Sequence, residues 1–93
     1  MGKAYIRKIA VALQGVESKV IIEGYTDSVP IHTAKIPSNW HLSALRAAEV
    51  AFYLNKYGVD SKYLEPIGMG AFPTNSDIKE SRRVNIYLKP LEE

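Results

Sequence analysis

Residues 19–23, Lys-Val-Ile-Ile-Glu, are a β-branched run set between two helical patterns, and they constrain the fold more than any other stretch. Such a run reads as a short buried strand. Upstream, Tyr5, Ile6, Ile9, Ala12 and Leu13 recur on one face of a helix over residues 3–13, which Gln14-Gly15 should end. Downstream, residues 24–39 read as a loop of sixteen residues containing Pro30 and Pro37, a length more typical of functional segments than of plain connections.

A second helix is expected from about Trp40 to Tyr57, capped by Ser38 or Asn39 and stopped by Gly58. Leu42, Ala44, Leu45, Ala47, Ala48, Val50, Ala51, Phe52 and Leu54 make it apolar round most of its circumference. This predicts a heavily packed helix, with Arg46 on a thin exposed strip shared with Glu49, Tyr53 and Lys56. Tyr63 to Met69 reads as a second strand, and Gly68-Met69-Gly70 as a tight chain reversal. Residues 72–81 are turn-rich, with one helical turn expected near 76–79. From Arg82 to Lys89, Val84, Ile86 and Leu88 alternate inward, the pattern of a half-buried strand. The order helix, strand, helix, strand, strand defines an α/β chain (an α+β two-layer sandwich) with helices on one face of a small mixed sheet. Its strand–helix–strand unit should be a right-handed parallel crossover.

Residues 1–93 suffice for a single domain with one core. A formal charge of +2 without a dense basic run argues against nucleic acid as a partner. The chain has no cysteine, which removes disulfides, thiolate metal sites and cysteine nucleophiles. No apolar stretch approaches the roughly 20 residues of a membrane span, and the opening residues do not read as a signal peptide.

Asp27 follows the first strand, and Arg46 lies in the helix beyond the loop. An Asp there can be a turn residue, and Arg46 can pair with Glu49 at the surface. The carboxyl end of a strand is also where α/β sheets bind ligands, and such a pair can clamp a zwitterion: ammonium on Asp27, carboxylate on Arg46. His32 and His41 are nine residues apart and match no standard metal-ligand spacing, so neither metal nor cofactor is expected. Ser28, Ser38 and Ser43 lack a nucleophile elbow. Glu23, in the first strand, can face the sheet edge.

Five segments in order resemble the OmpA-like peptidoglycan-binding domain: Glu23-Gly24-Tyr25-Thr26-Asp27, Leu42-Ser43 with Arg46-Ala47, Tyr57-Gly58-Val59-Asp60, Gly68-Met69-Gly70 and Arg82-Arg83-Val84. The long loop after Asp27 is similar to that of flagellar stator B subunits (MotB-type). The resemblance implies an OmpA-like fold lacking its first strand, and a non-catalytic domain that grips the diaminopimelate of the peptidoglycan stem peptide. Asp27 matches the family position that takes the ammonium, and Arg46 the position that takes the carboxylate. Thr26, Asn39 and Leu42 are expected to line the same pocket, with Arg83 beside it. The resemblance further implies a homodimer and a stator A subunit (MotA-type) as partner through a membrane segment outside this chain. It places the domain in the periplasm, as part of an inner-membrane protein. Tyr25 stands where the family usually has His, Ser81 where it has Asn, and Asn85 where it has Glu. The alternatives are an outer-membrane anchor of the OmpA or Pal type, or a small hydrolase using Asp27 with His32 or His41.

Overall fold

The computed structural model describes residues 2–26, 32–71 and 83–91. Helix α1 spans Lys3–Ala12, strand β1 Ser18–Thr26, helix α2 Asn39–Lys56, strand β2 Leu64–Ala71 and strand β3 Val84–Pro90. A short 3-10 turn, Ser61–Tyr63, leads into β2. The sheet order is β2-β1-β3, with β1 parallel to β2 and antiparallel to β3. Among the described residues no strand precedes α1, and the expected two-layer sandwich is present. Asp27, Arg82 and the turn-rich stretch at 72–81 lie outside the described residues.

Ile6 and Ala10 of α1, Val20 and Ile22 of β1, and Ala47, Val50 and Leu54 of α2 form one buried cluster with Val59. Ile21 faces the other way, yet is buried between its cross-strand partners Glu65 and Tyr87. Position 21 is thus buried by neighbouring strands without a helix over it, which accounts for the unbroken Val-Ile-Ile run. Helix α2 starts on Ser38, whose hydroxyl accepts the His41 N–H at 3.3 Å. It ends at Gly58, where a φ of 114° lets the Val59 N–H reach back to Leu54 at 3.0 Å.

Several expectations need correction. Strand β1 runs to Thr26, so the connection to α2 begins later than Gly24. Gly24, expected to open the loop, lies inside β1, and its missing side chain is what admits α2: a Cβ there would collide with the Ser43 carbonyl and approach the Ala47 nitrogen to 3.1 Å. Residues 68–70 are not a reversal. They stay within β2, where the register slips between Gly24 and Thr26 and the φ of 76° at Gly70 marks a bulge. A Cβ at Gly68 would come within 2.7 Å of the Ala44 nitrogen, so this segment also seats α2.

Helix α2 is less covered than its composition suggests. It buries Ser43, Ala47, Val50 and Leu54, while Trp40, Leu45 and Phe52 remain 68%, 53% and 63% exposed. The sheet is only three strands wide and α1 flanks one side of α2, leaving its outer face without a neighbour among the described residues. On β3, Val84 and Ile86 pack against the core, but Leu88, on the outer strand, is 47% exposed.

Candidate functional site

Because α2 links two parallel strands, its N-terminal turns lie over the carboxyl end of β1. Strand β3 starts at the same end: Gly24 pairs with Val84, and the Tyr25 N–H donates to the Arg83 carbonyl at 2.8 Å. The approach of α2 is fixed by a buried link in which the Gly70 N–H donates to Ser43 Oγ at 2.8 Å and that hydroxyl donates to the Trp40 carbonyl at 3.1 Å. Ser43 is therefore a seat for the helix, held by the same close packing that requires glycine at positions 24 and 68.

Arg46 lies about two turns into α2 and is half-buried. It opens on a cavity of about 730 Å³ whose wall also includes Arg83, Lys3, Glu49 and Tyr53. Among the described residues the one ion pair is Lys19–Glu65 at 3.2 Å, so Arg46 is not spent on Glu49. The Arg83 guanidinium lies 5.3 Å from the centre of the Tyr25 ring, and the Lys3 ammonium 5.1 Å from that of Tyr53. Its hydrogen bond to Tyr53 raises the Lys3 pKa above the ordinary lysine value. The supposed solvent strip Arg46–Glu49–Tyr53 is thus partly a cavity wall, because α1 lies alongside it.

On the sheet face away from the helices, Glu23 accepts the hydroxyls of Tyr25 and Tyr87, each at 3.1 Å. Burial first, and then these hydrogen bonds, raise both tyrosine pKa values. Glu23 is thus a cross-strand acceptor.

The structure brings Arg46 and Arg83 to one cavity, and Arg46 and Leu42 to a neighbouring groove of about 550 Å³. Thr26 is 2% exposed at the end of β1, and Asn39 is half-buried at the start of α2; neither lines these two hollows. Asp27, the residue after Thr26, is outside the described residues. His41 sits 2.7 Å from Ser38 Oγ at the helix cap, and the His32 ring N–H donates to the Pro37 carbonyl at 3.0 Å. Among the described residues no three His, Asp or Glu side chains gather as metal ligands. Lys3 escaped the sequence reading because nothing in its local pattern says that α1 delivers it to Arg46.

Two helices on one face of a small mixed sheet make an OmpA-like fold, and the chain belongs to the OmpA family, whose sequence model matches residues 2–85. It is similar to the motility protein B of Bacillus subtilis, 31% identical over 96% of this chain and 40% of that protein. The uncharacterized protein YtxE of the same organism is 38% identical, over 90% of this chain and 38% of its own length. The chain therefore spans about two fifths of these relatives. Among solved structures, a periplasmic domain of MotB superposes with a TM-score of 0.86 at 26% identity, covering 97% of this chain and 52% of that one. The cell wall anchor of the T6SS from Pseudomonas aeruginosa gives 0.82 at 33% identity, covering 96% and 66%.

Proposed function

We propose that this domain anchors a flagellar stator to the cell wall by binding the stem peptide of peptidoglycan. The observation that carries the reading is Arg46, which is half-buried, unpaired with Glu49, and turned to a cavity shared with Arg83. Its planar guanidinium suits bidentate recognition of a carboxylate, and the N-terminal end of α2 adds a positive dipole. Asp27 takes the ammonium of diaminopimelate and Arg46 the adjacent carboxylate, while Thr26, Asn39, Leu42 and Arg83 shape the surroundings. Similarity to motility protein B and to the MotB periplasmic domain supports the stator assignment and a periplasmic location. No described helix is long and apolar enough to cross a membrane. Pairing with a second copy and with a MotA-type subunit belongs to the same reading.

The test is a pulldown on purified insoluble peptidoglycan, with Arg46→Ala and Asp27→Ala as comparisons. Binding by the unmutated chain and its loss in both variants, with thermal unfolding unchanged, is the expected result. Retention of full binding by both variants would overturn the clamp.

A further inference from the structure

The exposed side of α1 is basic and holds no acid. Residues 1–16 carry Lys3, Arg7 and Lys8, and the first acid of the chain is Glu17. Ile6 and Ala10 turn inward, so the cations share the outer arc with Tyr5 and Val11, which are 61% and 64% exposed. Helix stability does not explain the charge: a cation in the first turn opposes the macrodipole, and Lys3 stands there with no acid beside it. Pairing does not explain it either, since among the described residues the one ion pair is Lys19–Glu65, on the sheet. The C-terminal end of α2 instead holds the cations in place. The Tyr53 ring lies against Lys3 at 5.1 Å and Lys56 at 5.9 Å, and the Tyr57 ring against Arg7 at 5.8 Å. Lys3, Arg7 and Lys8 line an open hollow of about 590 Å³ with Ala4, Val11 and Tyr57, and no acid is in its wall. Glu49 belongs to the neighbouring cavity, which shares only Lys3 with this hollow.

We infer that this face of α1 docks on an anionic lipid surface, with Lys3, Arg7, Lys8 and Lys56 among the headgroups and Tyr5 and Val11 in the interfacial layer. The charge is of the sign such a surface attracts. A small soluble anion would need only the hollow, whereas Lys56 and the exposed Tyr5 extend the patch beyond it. The inward stripe of α1 is committed to the core, so the helix lies on the surface without inserting, and the contact is peripheral and sensitive to salt. Arg7, Lys8 and Lys56 are not in the wall of the Arg46 cavity, so surface docking and wall binding separate by mutation.

The experiment is sedimentation of the 93-residue chain with vesicles of phosphatidylcholine alone, or of phosphatidylcholine and phosphatidylglycerol in equal parts. The chain should pellet with the anionic vesicles and not with the zwitterionic ones, and raising salt from about 50 mM to about 500 mM should release it. Each Lys or Arg at an anionic surface contributes about fivefold in affinity, so Arg7→Gln/Lys8→Gln should weaken capture about 30-fold. Lys19→Gln/Lys89→Gln removes the same charge from the sheet and should pellet as the parent does. Glutamine is a good helix former and positions 7 and 8 are exposed, so a lost capture is not a folding defect. Equal capture by both kinds of vesicle, or by neither, would overturn the inference, as would equal weakening in the two double variants. Tighter binding to soluble polyphosphate than to anionic vesicles at equal phosphate would assign the face to a phosphate polymer and overturn it too.

Discussion

Replacing Gly24 by alanine tests the reasoning that places the site. The added methyl would collide with the Ser43 carbonyl and lie 3.1 Å from the Ala47 nitrogen. Both neighbours are backbone atoms of a regular helix, so neither can turn away as a side chain would. Relief requires α2 to lift from β1, which opens the contact of Ala47, Val50 and Leu54 with Val20 and Ile22. Overpacking of a tight core costs about 1–3 kcal/mol, and backbone neighbours put this case at the upper end, about 3 kcal/mol. For a domain of this size each kcal/mol shifts the melting temperature by about 4–8 °C, so Gly24→Ala should melt about 12–24 °C lower. Circular dichroism melts of the two proteins under identical conditions measure it directly. A drop under about 3 °C would show that the helix is not pressed on the strand, and the positioning of Arg46 would need another explanation.

Ser43→Ala should cost about 1–3 kcal/mol in urea titration, because it strips the Gly70 N–H of its buried acceptor; a neutral result would argue that Ser43 does not seat the helix. Arg46→Ala should weaken binding to insoluble peptidoglycan by about 2 kcal/mol or more, roughly 30-fold, with the melting temperature within about 3 °C of the parent. Tyr25 and Tyr87 have folded pKa values above the ordinary 10.0, so their neutral forms favour the folded state. That contribution is fully present below 10.0 and is lost as pH rises through the folded values. Urea midpoints followed from about pH 9 to 12 should therefore fall less steeply in Tyr25→Phe/Tyr87→Phe than in the parent. Lys19→Ala breaks an ion pair whose side chains are 38% and 44% exposed, and should change stability by less than about 0.5 kcal/mol in the same urea assay.

Much of the architecture was legible because periodicity survives in this chain. The spacing of Ile6, Ile9 and Leu13 finds α1, the run around Ile21 finds the central strand, and Gly58 ends α2 where expected. What failed were residues whose role depends on a distant neighbour. Gly24 and Gly68 look like breakers by composition, and only the proximity of α2 shows why a strand needs them. Leu45 and Phe52 look like core, since an apolar residue carries no mark of which helix face the sheet leaves bare. Arg46 was singled out by its place in the helix after the loop, and it lines a cavity with Arg83. The part played by Lys3 depends on how α1 packs against α2, a tertiary relation that one-dimensional spacing does not encode.

The cavity wall draws on the start of the first helix, the interior of the second and the entry to the last strand, positions 3, 46 and 83 of one polypeptide. These positions meet only when the whole domain is folded, so a partly unravelled form loses the cavity. The three elements are braced against a common sheet, so none of them can shift alone without reshaping the cavity. Since a ligand that binds only the folded state deepens that state, holding on is itself what strengthens the holder.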